Sequence, residues 1–499
     1  MELFLTSLGA LARIDVAIAL LIGSVGGVII GAIPGVGPAI AIAILLPATF
    51  ALEPIVGLTL LLGIYGSSMY GGAIPAILVN APGTAVNALT TYDGYPMTQR
   101  GEAARALSLA FGASFCGGII SIIALMSLSP VLAAVAPMFG SREIFLAALL
   151  GMVLVVVTHR GQALAAGALL CLGIFINTIG LESTRYTQRY TFDQAWLASG
   201  IDLIVVVLGL FALSQAFLLL VGEDEHNEPP ALVGRIFDGL REVLRLPKIF
   251  VPSAGFGVIM GMIPGVGEFL AQFFSYSLAR KTSGNGENFG KGAPEGLVAS
   301  EAANNAVPAA AMIPLLALGI PGEALTAMML AVFYVHNVIP GPQLFANDFD
   351  FILSLYLALI ILNILAFGFL LGTTKWLTQV VRIPNRFLGM VILVLSFVGV
   401  FSLRNSIIDC AIAAAFGMFG LMLKRLNLPI VPIILGMVLG GIMEVKFRTS
   451  MARVETPLDF IERPVAQVLF AIIVFVLIAH FYALFRAKKS KDLSNDQAS

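Results

Sequence analysis

Charged side chains are scarce in this chain. Asp, Glu, Lys and Arg make up 11% of its 499 residues, against roughly 25% in soluble globular proteins, which argues against an ordinary soluble domain. The net charge is −1 and no basic patch stands out, so nothing points to nucleic acid as a partner. The three cysteines, Cys116, Cys171 and Cys410, sit far apart in apolar runs. That spacing offers neither a disulfide framework nor a metal cluster, and they read as small buried hydrophobes. The four histidines show no HExxH spacing, and GxxxxGK[ST] and GxSxG are missing. Zinc-peptidase, P-loop and serine-hydrolase readings therefore have no support. The glycine-rich GNGENFG at 284–290 follows no strand pattern and carries no nucleotide reading. The period-two alternation of a membrane β-barrel is also lacking.

What is present is apolar sequence. Hydrophobic residues make up 59% of the chain, and they fall in repeated stretches of membrane-spanning length. The fold class is an all-α polytopic membrane protein with about 11–13 membrane segments, several of them interrupted. The N-terminal MELFLTSLGALARIDVAIALLIG lacks a basic leader and reads as a first membrane segment, not a cleaved signal peptide. The charged stretch 222–248 reads as a cytoplasmic linker, partly an amphipathic surface helix. It separates a first membrane repeat (1–221) from a second (249–464). An additional C-terminal helix (465–485) and a polar cytoplasmic tail without structure (486–499) follow.

The repeats are visible in the residues. GVIIGAIPGVG at 27–37 returns as GVIMGMIPGVG at 257–267, with nine of eleven positions identical and Pro34 displaced by 230 residues to Pro264. A second pair, Ile74-Pro75 with Pro82-Gly83, returns as Ile313-Pro314 with Pro321-Gly322, displaced by 239 residues. Proline removes an amide donor and glycine permits turns and close approach. Broken backbone is tolerated at membrane depth only inside protein or against a cavity. A helix restarting after a break presents free amides and a partial positive charge, a ready anion site. The candidate substrate-binding residues are therefore Pro34, Gly35, Gly37, Asn80, Pro82, Gly83, Thr84, Pro264, Gly265, Gly267, Pro321 and Gly322. The competing reading is proline kinks with glycine packing. Matched recurrence in two halves favours a transporter site.

The second half adds Ser300-Glu301-Ala302-Ala303-Asn304-Asn305. Intramembrane acids are costly and usually functional. Asn304 and Asn305 are candidates for substrate, and with Glu301 for a coupling ion, sodium or a proton. A helix-terminal acid on the cytoplasmic surface is the alternative for Glu301. Glu268 and Glu323 lie beside the second-half breaks, where an anion site calls for a compensating cation or proton. Asp93-Gly94-Tyr95-Pro96 and Pro340-Gly341-Pro342 read as turns.

Lys and Arg set orientation. The tail, with Arg486, Lys488, Lys489 and Lys491, is placed in the cytoplasm. Counting back puts 92–105 inside and 335–350 outside, so equivalent loops fall on opposite sides and the repeats are inverted. The segment 444–464 fits badly, falling outside with Lys446, Arg448, Arg453 and Arg463.

GAIPGVGPAIAIAILLPATF (31–50), YGGAIPAILVNAPGT (70–84), YDGYPM (92–97), GMIPGVG (261–267), FGKGAPEGLVASEAANNA (289–306), ALGIPGEALTA (317–327) and IPGPQLF (339–345) together resemble the large membrane subunit of the bacterial tripartite tricarboxylate transporters. The resemblance covers nearly the whole chain. It implies a secondary transporter of the inner membrane, with no enzyme activity and no cofactor beyond a coupling cation. It implies a small membrane subunit, a periplasmic solute-binding protein and an organic carboxylate substrate such as citrate as partners. It also places the Pro-Gly segments and the asparagine pair near substrate. Glu323 departs from the small or hydroxyl residue expected after Pro321-Gly322. The rival readings are a passive organic-anion channel, an intramembrane enzyme and a membrane scaffold.

Overall fold

A computed structural model describes residues 2–33, 36–81, 87–159, 161–182, 187–222, 238–264, 267–380, 383–452 and 456–496. The first half begins with α1 (Glu2–Leu11), α2 (Ile14–Gly31), α3 (Pro38–Thr49), α4 (Pro54–Val79), α5 (Ala88–Gln99) and α6 (Ala103–Val135). It continues through α7 (Ser141–Thr158), α8 (Ala163–Thr178), the short antiparallel strands β1 (Gly180–Leu181) and β2 (Gln188–Arg189), and α9 (Ala195–Ala198). Then α10 (Leu203–Val207) and α11 (Ser214–Val221) are joined through a π-helical segment, Leu208–Leu213, into one span. After α12 (Asp238–Leu244) come α13 (Pro247–Met262), α14 (Gly267–Thr282), α15 (Pro294–Leu318), α16 (Ala324–Val335) and α17 (Pro342–Asn347). The chain ends with α18 (Phe349–Leu377), α19 (Asn385–Arg404), α20 (Ile407–Arg425), α21 (Val431–Met451) and α22 (Pro464–Asp496).

Among the described residues, nine helices are long and apolar enough to cross a membrane. The expected 11–13 segments include others. α8 and α13 are 16 residues long, α3 and α16 only 12. α15 is diluted by Glu and Asn, and α21 carries Glu444, Lys446 and Arg448. The tail expected without structure is helical: α22 runs on to Asp496. No proline or glycine interrupts residues 465–496, so nothing in the sequence stops the helix. Within the linker, α12 packs on α6, where the Gly239 amide donates to Ser108 Oγ at 2.7 Å and Arg105 pairs with Glu242 at 2.6 Å. Asp93 to Pro96 is not a turn but the interior of α5. Its buried carboxylate accepts from the amides of Gly290, Gly292 and Ala293 and from Tyr276 Oη, all within 2.9 Å. The three amides lie on the loop that leads into α15 and its N-cap, and Tyr276 lies on α14, so one carboxylate ties α5 to both.

The chain divides into two compact units: Met1–Ala136 with Asp202–Leu426, and Pro137–Ile201 with Asn427–Ser499. Each unit draws on both halves of the sequence. In the first, α2 lies on α4 because Gly23 and Gly27 offer no side chain. A Cβ at Gly27 would stand 2.9 Å from the carbonyl oxygens of Gly63 and Ile64, and one at Gly31 would collide with Ser68 O. α13 lies on α15 in the same way: Gly257 faces Ala303 O, and a Cβ at Gly261 would stand 3.0 Å from Val307 O. The contacts Gly27–Ile64 and Gly31–Ser68 reappear as Gly257–Ala303 and Gly261–Val307. These displacements, 230 residues on one helix and 239 on the other, are the ones seen in the sequence motifs. The ends match too. α4 closes at Asn80 (φ 57°) with the Ala81 amide turned back to Pro75 O, and α15 closes at Gly319 (φ 69°) with Ile320 turned back to Pro314 O, both at 3.3 Å.

Also in the first unit, α19 and α20 close on the α10–α11 span, with a Cβ at Gly209 2.7 Å from Ala413 O. In the second unit, α7 and α8 close on α21, with Gly173 against Ile433 O and Gly436 against Leu170 O. A helix pair from one half thus meets a single span from the other in both units. One of the misfitting basic residues of 444–464, Arg448, gains partners here. Arg448 pairs with Glu182 at 2.6 Å and Glu444 at 2.9 Å, and Arg189 pairs with Glu444 at 2.7 Å.

Gly27→Ala and Gly257→Ala force backbone carbonyls apart and are expected to lower stability by about 1–3 kcal/mol each. Gly255→Ala, with nothing within 4 Å, is expected to be neutral or slightly stabilising. Thermal unfolding in detergent, followed by size-exclusion recovery, checks the contrast.

Candidate functional site

The site is built on α4 and α15, the two long helices that end at the second pair of motifs. α4 supplies Tyr65, wholly buried. α14 starts at Gly267 (φ 71°), a left-handed residue that turns the chain after the break and sets Glu268 in the first helical turn. Glu323 follows Pro321 and Gly322 in extended backbone (φ −159°), its amide donating to Thr326 Oγ1 at 3.0 Å to open α16. The Tyr65 hydroxyl is in hydrogen-bond contact with Glu323 Oε1 and lies 3.4 Å from Glu268 Oε1. A Cβ at Gly322 would stand 3.1 Å from Gly261 O. The two second-half motifs therefore meet, and a first-half tyrosine joins them.

α14 and α15 run antiparallel: Ser275 Oγ donates to Ala299 O at 2.8 Å, and Ala271 packs with Ala303. One residue past Ala271 and Ala303, a rotation of about 100° carries Gln272 and Asn304 out of that seam. Because the helices run in opposite directions, both rotations lead to the same side. Both side chains are fully buried, and both amide oxygens and both amide nitrogens lack a hydrogen-bond partner. Burying such groups unpaired costs about 1–3 kcal/mol each. Glu268 lies one turn before Gln272 on the same face, and Tyr276, one turn after it, reaches Asp93.

The asparagine pair divides. Asn305 faces α6, its amide donating to Ser114 Oγ at 2.6 Å, and lines a cavity of about 30 Å³ with Ser67, Tyr70 and Asn363. That volume suits a water molecule, not a carboxylate substrate. Glu301 is buried, not a surface acid. It accepts from Ser114 Oγ at 3.0 Å, Asn87 Nδ2 at 3.3 Å and Thr90 Oγ1, tying α15 to α5 and α6. Asn80 is exposed and serves α4 through its left-handed backbone (φ 57°, ψ 23°). Gly37 caps α3, Pro264 follows α13, and Pro321 and Gly322 are buried. Pro34, Gly35, Pro82, Gly83, Thr84 and Gly265 lie outside the described residues. Tyr65 and Gln272 escape a motif search. Their signal is fainter: a tyrosine within a membrane-length span, and an amide four residues after an acid.

These features define a multi-pass helical membrane protein with buried, unpartnered polar groups beside its backbone breaks. Residues 17–435 match the tripartite tricarboxylate transporter TctA family. The chain belongs to that family and is a membrane component of tricarboxylate transport. It is 32% identical over 479 residues to an uncharacterized 52.8 kDa protein in the TAR-I ttuC' 3'region of Agrobacterium vitis, covering 94% of each chain. It is 31% identical over 249 residues to an uncharacterized protein in the TAR-II ttuC' 3'region of the same organism, covering 48% of this chain and 100% of that one. No solved structure matches.

Gln272→Met and Asn304→Leu relieve unpaired amides and are expected to leave thermal stability unchanged or raise it by about 1–2 kcal/mol. Ser114→Ala, which takes a donor from buried Glu301, is expected to lower it by about 1–3 kcal/mol. Melting curves of the three variants check the opposite signs.

Proposed function

We propose that this chain is the large subunit of a secondary active transporter that imports an organic carboxylate, a tricarboxylate or dicarboxylate such as citrate, coupled to a cation gradient. In this reading it has no enzyme activity and spans the bacterial inner membrane with its C-terminus in the cytoplasm. A small membrane subunit works beside it, and a periplasmic solute-binding protein delivers substrate. The two halves are read as inverted repeats, which the matched glycine seams and helix ends support.

The observation that carries the reading is the pair of buried, unpartnered amides, Gln272 and Asn304, on one side of the α14–α15 seam. Amide N–H groups suit a carboxylate, and the free end of α14 adds a favourable field. No ion pair among the described residues involves Glu268, Glu301 or Glu323. An anion is thus held by neutral donors. This suits modest affinity and release, with tight capture left to the binding protein.

Proteoliposomes holding the chain and its partner subunits, supplied with labelled citrate or dicarboxylates under imposed sodium or proton gradients, test this. Accumulation above the external concentration is expected. Equilibration without accumulation would instead identify a passive channel. Gln272→Ala and Asn304→Ala are each expected to cut uptake about 10–100-fold, the loss of a hydrogen bond to a charged ligand, with normal membrane insertion.

A further inference from the structure

We propose that Glu268 and Glu323 hold one exchangeable proton across the Tyr65 hydroxyl, and that this proton is the coupling ion of the transport cycle. This rests on the transport reading above.

The count follows from hydrogen-bond inventory. A phenol has one O–H to give and an oxygen that accepts. Tyr65 Oη touches Glu323 Oε1 and lies 3.4 Å from Glu268 Oε1. With one proton on the pair, Glu268 donates to the phenol oxygen and the phenol donates to Glu323. Reversing both bonds moves the proton to Glu323 at no loss of pairing. With no proton, the two carboxylates share one phenol donor between them, besides the backbone amides at their own helix starts. With two protons, one O–H has no acceptor within the trio. The arrangement suits one proton, shared and movable.

Among the described residues, no other group on the surrounding helices takes its place. α3 has no titratable group, and α15 has none from Asn304 to Leu318. Glu301, one turn earlier on α15, is held by Asn87, Thr90 and Ser114. On α14 itself, Tyr276 reaches Asp93, and Arg280 and Lys281 lie in the last turn. α2 and α13 carry only Asp15 and Lys248, each in its first turn, and α16 only Tyr334 in its last. On α4 the next titratable group is Tyr70, which is engaged with Asn363. α18 carries Asp350 and Lys375 at its ends and Tyr356, which is held by Ser129.

The site is also single. The matched first-half positions, displaced by 230 and 239 residues, are Pro38 and Thr84, and neither can bind a proton as a carboxylate does. A second observation ties the trio to a ligand. Gln272, one turn beyond Glu268 on the same face, is buried with both amide atoms unpartnered, and Asn304 joins it on that side. An anion held by these amides is repelled by two ionised acids and less so by a pair sharing a proton. Proton loading from the outer aqueous phase therefore favours carboxylate entry, and both leave to the inner phase.

Infrared difference spectroscopy of the full chain in nanodiscs at neutral pH is the direct test. A protonated-carboxyl C=O band is expected that shifts in Tyr65→Phe, disappears in Glu268→Gln/Glu323→Gln, and persists in Glu301→Gln. A band unchanged in the double variant, or displaced by sodium, overturns the proposal. In proteoliposomes, Glu323→Gln is expected to lose the stimulation of citrate uptake by an inward proton gradient, while membrane insertion and size-exclusion recovery match the wild type. Proton-driven uptake retained by this variant also overturns the proposal. If the wild type carries no citrate or dicarboxylate at all, the transport reading fails, and the infrared arm still decides whether the proton is there.

Discussion

A peptide backbone broken at membrane depth has to be enclosed by protein, because hydrocarbon offers its freed amides no partner. Everything distinctive about the first unit answers that constraint. α4 and α15 run almost wholly buried up to the second pair of breaks, and α2 and α13 press against them at backbone distance. Glycine makes that distance reachable. A stripe at Gly23, Gly27 and Gly31, with its counterpart at Gly257 and Gly261, removes the side chains that would hold the helices apart. The attraction is dispersion between close backbones, which does not depend on water being expelled.

Polar groups then connect the halves. Asp93 from the first half satisfies the amides that open α15 in the second, and Glu301 of α15 collects hydroxyl and amide donors from α5 and α6. These groups are fully paired and hold helices together. Gln272 and Asn304 are not paired at all. The contrast separates scaffold from proposed ligand site more sharply than residue type does, since the neighbouring asparagines fall one in each class, Asn305 paired with Ser114 and Asn304 unpaired.

Much of this was legible in the sequence. Hydropathy gave the class, and two displacements, 230 and 239, marked the recurring motifs. They reappear as contacts because proline and glycine are chosen for backbone geometry that side-chain drift cannot replace. Packing partners were less legible. Asn304 and Asn305 are adjacent in sequence, yet about 100° of helical rotation turns Asn305 to α6 and Asn304 to a different face of α15. Asp93 looked like turn chemistry because Gly94 and Pro96 follow it, and only the distant amides of 290–293 explain why helix persists there. Tyr65 has only a faint local signal: its meaning comes from two acids more than two hundred residues downstream.

The exchange of spans between halves bears on biosynthesis. α7 and α8 are made early, but the surface that covers Gly173 belongs to α21, near the end of the chain. Until that span is synthesised, the small-residue face of α8 lacks its native neighbour and is open to mispairing with other helices. The second unit can close only after α21 has been made, so a chain cut short before Val431 leaves α7 and α8 without their covering span.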